Sequence, residues 1–267
     1  MNFISLTPID ISIAAALLIL NAALSIFLRL RLEKQMLVAA TRMVVQLLLM
    51  GLVLKWLFNQ DSPLLTSLTA LFMMLFAGRE VMARQKRRLK GWWSYGLGTT
   101  SMVFACALVT VFALTTQIRP DPWYDARFTL PMLGMILGNT MTGVALGIDR
   151  LLTGVASEKP AIEARLALGH PRGEAFSGII REAMRTGLIP TINAMSAIGL
   201  VYIPGMMTGQ ILAGVAPMEA VKYQLLIMFL IAGGTGLGVL GAVMVGAWRL
   251  TDPRHRLRLD RLNAESL

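Results

Sequence analysis

Seven times along this chain an apolar run reaches or nearly reaches the length that crosses a bilayer. A membrane-spanning helix needs about 20 residues at a rise of roughly 1.5 Å each. Residues 9–28, 36–58, 92–116, 128–148, 188–214 and 220–248 meet that length, and 64–78 falls short unless Arg79 snorkels to the interface. Backbone inside hydrocarbon must satisfy its own hydrogen bonds, which leaves helices or closed barrels, and runs this long and continuously apolar are helical. The chain therefore reads as an all-α polytopic membrane protein with about seven transmembrane helices, in a single transmembrane domain spanning 1–267. Charged residues make up 15% of it, against about 25% in a soluble domain, which excludes an ordinary water-soluble enzyme. The first run does not read as a cleavable signal: MNFISLTPID carries no Lys or Arg, and the positive charges come after the apolar stretch.

The net charge of +10 would suggest nucleic acid in a soluble protein, but here the basic residues cluster between apolar runs. Arg29, Arg31 and Lys34 follow the first run; Arg79, Arg84, Lys86, Arg87, Arg88 and Lys90 the third; Arg150, Lys159, Arg165, Arg172, Arg181 and Arg185 the fifth. Arg249, Arg254, Arg256, Arg258 and Arg261 follow the last, so twenty of the 25 Lys+Arg alternate onto one side. The positive-inside rule makes that side cytoplasmic, with the N-terminus outside and the C-terminus in the cytoplasm. All five Trp (56, 92, 93, 123 and 248) fall at run ends, as an aromatic belt requires. A topology determinant explains the 84–90 cluster without any nucleic-acid partner. The single Cys106 excludes an intrachain disulfide.

The longest polar stretch, residues 149–187, reads as a cytoplasmic coupling loop. Ser157 with Pro160 suggests a helix start, and Gly169 with Pro171 a stop. A second helix begins near Arg172, and Phe176, Ile179, Ile180, Ala183 and Met184 share one of its faces. Such a face suits headgroups or a groove on a partner, and amphipathicity alone favours headgroups. The spacing resembles the coupling loop of binding-protein-dependent ABC import permeases, which runs EAA, three residues, Gly, nine residues, Ile-x-Leu-Pro. Glu163, Ala164, Gly169 and Ile179 fall on that pattern; Arg165 replaces its second Ala, and Leu188 and Pro190 arrive late.

Further along, GLIPTINAMSAIGLVYIPGMMTGQILAGV, together with Thr41, Arg42 and Gln46, resembles the FetB-type iron-export ABC permease family, whose plant relatives are linked to aluminium tolerance. The resemblance implies a membrane subunit of the bacterial inner membrane that forms a homodimer. It also implies a cytosolic ABC ATPase subunit as partner, holding ATP-Mg, with no cofactor in this chain and iron leaving the cell. Glu163, Ala164, Gly169, Phe176, Arg181 and Arg185 are then the residues expected to couple to the ATPase. No catalytic residue is expected: the chain has no Gly-Lys dipeptide and hence no P-loop, and GLGVLG at 236–241 lies inside an apolar run with no strand before it.

Candidate pathway residues follow from polar groups within the apolar runs. Pro204 and Gly205 interrupt the sixth run, and broken helices at membrane depth are tolerated where they line a cavity. Asn193 precedes the break, and Met206, Met207 and Gln210 follow it. Arg42 and Gln46 share a face of the second run, Asn139 sits in the fifth, and Asn21 in the first reads as interhelical glue. The pairs Gly134/Gly138, Gly143/Gly147 and Gly234/Gly238 read as close-packing sites. Metal ligands stay open: the two His, 170 and 255, lie outside the apolar runs, and carboxylates are absent at mid-membrane. An ATPase-independent carrier or channel, an ABC permease for another metal or small solute, and a non-transporting scaffold are the alternatives.

Overall fold

The computed structural model describes residues 7–60, 62–252, 254 and 256–263; residues 1–6 and His255 lie outside it. Ten α-helices follow one another: α1 (Pro8–Phe27), α2 (Glu33–Leu57), α3 (Pro63–Ala83), α4 (Trp93–Ala113), α5 (Ala126–Ser157), α6 (Lys159–Ala167), α7 (Arg172–Ala175), α8 (Ser177–Ala197), α9 (Gly205–Leu212) and α10 (Pro217–Arg249). Among the described residues there is no strand, only isolated bridges. Six helices are long and apolar enough to span a membrane, so the protein is a polytopic all-α membrane protein.

The described residues form two compact units, divided at residue 61. The first is α1 and α2. Thr7 and Asp10 form a capping box at the start of α1, the backbone N–H of each residue bonding the other's side chain. At its end Ser25 donates to Glu33 at 3.1 Å and accepts the Leu32 N–H at 3.0 Å, which ties the two helices through their connecting turn. Asn21, expected between helices, instead donates to the Leu17 carbonyl of its own helix. The long apolar side chains of both helices are exposed, as lipid-facing positions are.

The second unit runs from α3 to the tail. Its core is formed by α5, α10, α4 and α8. At 32 and 33 residues, α5 and α10 are about 48–50 Å long at ~1.5 Å per residue, and both outrun a hydrocarbon layer of about 30 Å. In lipid, helices gain little from burying apolar surface, and close backbone approach through small residues holds them together. That is how α5 and α8 meet. A Cβ built on Gly187 would lie 2.8 Å from the Gly143 carbonyl oxygen, one on Gly147 would lie 3.4 Å from the Ala183 carbonyl oxygen, and one on Gly154 would lie 3.0 Å from Ile179. Arg150 and Glu182 add an ion pair at 3.9 Å. Residue numbers rise on one helix as they fall on the other, so the pair is antiparallel. Gly234 and Gly238 of α10 pack likewise on Ile136 and Thr140 of α5. The third expected pair fails in part, because Gly138 has nothing within 4 Å.

Three helix boundaries differ from the sequence expectation. α3 runs through Arg79 and Glu80 to Ala83, so its 21 residues span in full and the apolar run understated it. α5 continues to Ser157, which ends that helix; Glu158, not Ser157, caps α6, and the expected coupling loop is helical over most of its length. The sixth apolar run is two helices. α8 enters it from residue 177, α9 leaves it at 212, and the backbone from Ile198 to Pro204 is a tight non-helical knuckle. In that knuckle the Gly199 N–H, at φ +83°, reaches the Tyr202 carbonyl at 3.0 Å.

Neither α8 nor α9 is among the six helices long and apolar enough to span, against the seven expected, yet the broken pair runs the length of the unit. The Lys86 N–H bonds Asp149 of α5, the Lys90 N–H bonds the Arg261 carbonyl, and the Asn263 N–H bonds the Arg88 carbonyl. The end of α3, the lower part of α5 and the tail after α10 therefore share one end of the unit. α8 starts at that end and α10 finishes there, so α8 and α9 together carry the chain to the other. Trp93, at the start of α4, stacks under the Arg249 guanidinium at 4.5 Å on this same end.

The Gly143–Gly187 contact sets a testable limit. Gly187→Val forces two backbones apart and should cost about 1–3 kcal/mol, as overpacking does, read as a lowered Tm in detergent; Gly138→Ala, with open space around it, should leave the Tm unchanged.

Candidate functional site

Where the small-residue contact between α5 and α8 ends, a cavity of about 230 Å³ opens. One turn beyond Gly143 and Gly187 stand Asn139 and Thr191, and beyond them Met135 and Ala194. Tyr202, Pro204, Gly205 and Met206 close it from the knuckle and the start of α9, while Gln224, Ile227, Met228 and Ile231 form the α10 wall at helical spacing. Four of the residues chosen from sequence, Asn139, Pro204, Gly205 and Met206, thus come together. Asn193, Met207 and Gln210 lie close in sequence but do not line the cavity. Arg42 and Gln46 are one turn apart on α2, in the first unit.

Polar groups in the spans are mostly satisfied locally. Thr41, Thr142 and Thr208 each donate to the carbonyl four residues back, and the Asn139 amide nitrogen donates to the Met135 carbonyl at 2.8 Å. Gln224 is the exception in the cavity wall: it is 8% exposed, and its carboxamide oxygen has no hydrogen-bond partner among the described residues. Sequence reasoning passed over Gln224, Thr191 and Tyr202. The available signal was a lone amide near the start of an apolar helix, four residues before Met228 and seven before Ile231. Among the described residues no group of three His, Cys, Asp or Glu is placed to hold a metal ion.

The second part of the site is the elbow α6–α7 and the start of α8. α6 ends as expected at Gly169, φ +88°, in a complete Schellman motif: the His170 N–H bonds the Arg165 carbonyl and the Gly169 N–H bonds the Leu166 carbonyl. Arg165, which departs from the permease pattern, bonds the Ala175 carbonyl at 3.4 Å and so fastens α6 to α7. Glu163 pairs with Lys159 at 3.8 Å, and Glu163, Ala164, Arg181 and Arg185 are exposed. Phe176 is 1% exposed, so it supports the elbow from within. The face it shares with Ile179, Ile180, Ala183 and Met184 packs into the unit's own core rather than onto headgroups. This overturns the interfacial reading: α5 covers the face that amphipathicity assigned to lipid.

Accessibility separates cavity from core. In the purified chain, a cysteine replacing Asn139 should react with a small methanethiosulfonate, while native Cys106, fully buried, should react only after denaturation. Equal protection of both would contradict an open cavity at this place.

Residues 8–250 match the profile of the "Uncharacterised protein family (UPF0014)". The "Probable iron export permease protein FetB" of Escherichia coli is 32% identical over 262 residues, covering 98% of this chain and 99% of that protein. The "UPF0014 membrane protein YjkA" of Bacillus subtilis is 38% identical over 202 residues, 74% of this chain and 76% of the relative. The "Protein ALUMINUM SENSITIVE 3" of Arabidopsis thaliana is 31% identical over 226 residues, 82% and 79% of the two chains. No solved structure matches. With a family match across nearly all of its helical chain and a relative aligned end to end, this protein belongs to the UPF0014 family of membrane proteins.

Proposed function

We propose that this chain is the membrane subunit of an ATP-driven exporter that carries iron out of the cytoplasm, working as a homodimer with a separate cytosolic ABC-type ATPase. The observation that carries the reading is α8 itself. One helix of 21 residues with Pro190 inside it, about 30 Å long at ~1.5 Å per residue, runs from exposed Arg181 and Arg185 to Thr191 and Ala194 in the cavity wall. A push delivered at the α6–α7 elbow is carried along α8 past Pro190 to its far end, where the knuckle and α9 can turn to open the cavity. Gly169 and the Arg165–Ala175 bond keep the elbow stiff enough to transmit that push.

The basic end of the second unit faces the cytoplasm in this reading, where the positive-inside rule puts it. The iron cargo is brought to this chain by the name of its Escherichia coli relative. ATP and its Mg stay on the partner, and the work of this chain is to bind, to couple and to alternate access. Affinity purification of the tagged chain from native membranes in a mild detergent should bring down an ATP-binding-cassette subunit. Gly169→Pro, which cannot adopt the left-handed turn, and Glu163→Arg should both lose that subunit while the chain stays folded. Inside-out vesicles given ATP and iron in the bath should accumulate iron in the lumen. Absence of any ATPase across several detergents, with iron movement intact, would sink the ATP-driven reading in favour of an ion-coupled carrier.

A further inference from the structure

On the outside of the second unit, α3 carries Phe72, Leu75, Phe76, Arg79 and Met82 along one stripe, at the three- and four-residue spacing that stacks side chains on a helix face. α4 runs back close beside it. A Cβ on Gly98 would lie 2.8 Å from Val81, and the Tyr95 hydroxyl donates to the Leu75 carbonyl at 2.9 Å. Tyr95 therefore borders the stripe, and an apolar groove stays open along the seam between the two helices. From Phe72 to Met82 the groove is about 15 Å long at ~1.5 Å per residue, half of a hydrocarbon layer of about 30 Å. It starts near the middle of α3 and reaches the basic end, which is the depth of one leaflet.

Two features set this groove apart from an ordinary lipid-facing surface. Arg79 lines it, one turn before α3 ends, and neither a hydrogen bond nor an ion pair holds its guanidinium among the described residues. Trp92, 78% exposed, folds back over α4: its indole nitrogen would lie 3.0 Å from a Cβ on Gly96, and its ring meets Tyr95 edge-on at 5.7 Å. A guanidinium and an indole N–H thus stand at the headgroup end of an apolar slot. The charge around them is mostly of one sign. Residues 63–96 hold six Lys and Arg against Glu80 alone, and Glu80, adjacent to Arg79, points about 100° away around the helix. Helices α1 and α2 have no carboxylate to spare for Arg79, since Asp10 bonds Thr7 and Glu33 bonds Ser25. The groove calls for an anion that brings its own hydrocarbon.

We propose that this groove binds one anionic phospholipid, with an acyl chain along Phe72, Leu75 and Phe76 and the phosphate bonded to Arg79 and the Trp92 indole. A guanidinium meets phosphate oxygens through two parallel bonds. A zwitterionic lipid offers the same phosphate, but its ammonium group is repelled by the basic loop at 84–90, so net negative lipid is preferred. The site is separate from the cavity between α5, α8 and α10, and does not depend on the transport reading.

The test titrates the purified full chain, stripped of lipid in a mild detergent, with phosphatidylglycerol, phosphatidylcholine of the same chains, or glycerol 3-phosphate. Native mass spectrometry counts what is retained. One phosphatidylglycerol should bind at least fivefold more tightly than phosphatidylcholine, and glycerol 3-phosphate, which lacks the hydrocarbon, should not be retained. Arg79→Gln should abolish the preference, and Arg79→Lys should keep most of it. Arg84→Gln, exposed on the loop but outside the groove, should change it less than twofold. Phe72→Ala, at the far end, should weaken phosphatidylglycerol at least threefold and gives an independent reading if the Arg79 variants fail to fold. Equal retention of the two lipids would overturn the proposal. So would equal losses from Arg79→Gln and Arg84→Gln, which would show a diffuse basic surface in place of a site. A dimer that phosphatidylglycerol does not displace and that Phe72→Ala dissolves would assign the face to a second copy of the chain and overturn it as well.

Discussion

The backbone contact between Gly143 of α5 and Gly187 of α8 is the constraint on which the second unit depends. Neither helix is held to the other by a hydrophobic drive in lipid, so the approach has to be close enough for dispersion to hold it. Absent side chains allow that approach, and the small-residue row continues through Gly147 and Ala183 toward the basic end. The same row sets the register in the other direction. One turn past the glycines, Asn139 and Thr191 face across a gap that a larger contact residue would have filled, and the cavity starts there.

The register also explains why α8 can stop where it does. A helix that ends inside a membrane leaves carbonyls without partners, a state tolerated only next to protein or a cavity. The Gly199–Tyr202 hydrogen bond recovers part of what the break loses, and the start of α9 presents its free N–H groups where the cavity lies. The break and the cavity are two aspects of one arrangement. A straight sixth helix would satisfy its own backbone and leave nothing for a ligand.

Much of this was legible in the sequence. The apolar runs gave most of the spans because length and hydropathy alone decide whether a helix can sit in hydrocarbon, and Trp56, Trp92, Trp93 and Trp248 fell at helix ends because amphipathic indoles favour the interface. Gly169 could be read as a stop because a left-handed residue after a helix favours glycine. Helix ends were less legible: α3 and α5 both outran their apolar runs, since charged residues such as Arg79, Glu80, Asp149 and Arg150 continue a helix without slowing it. The face of α8 from Phe176 to Met184 was misjudged because amphipathicity records that a face is covered, not by what. Gln224 escaped notice because a single amide in an apolar helix carries no local pattern. Only the packing of α5, α8 and α10 brings it to Pro204 and Asn139.

The distribution of charge adds a last constraint on what can approach the second unit. The loop after α3, the lower part of α5 and the tail gather Arg84, Lys86, Arg87, Arg88, Lys90, Arg150, Arg258 and Arg261 at one end of the second unit. Partial neutralisation is local: Arg150 pairs with Glu182 at 3.9 Å, and Arg258 grips Asp260 through two bonds, at 2.8 and 2.9 Å, and holds that carboxyl down at about 2. The excess of basic residues gives this end a positive field, screened over about 8–10 Å in physiological salt, that repels a free cation approaching it and attracts an anion. The cavity between α5, α8 and α10 has no charged residue in its wall, and the close α5–α8 contact at Gly143, Gly147, Ala183 and Gly187 lies between it and this basic end, so the two differ in electrostatic character: one charged and screened by salt, the other neutral.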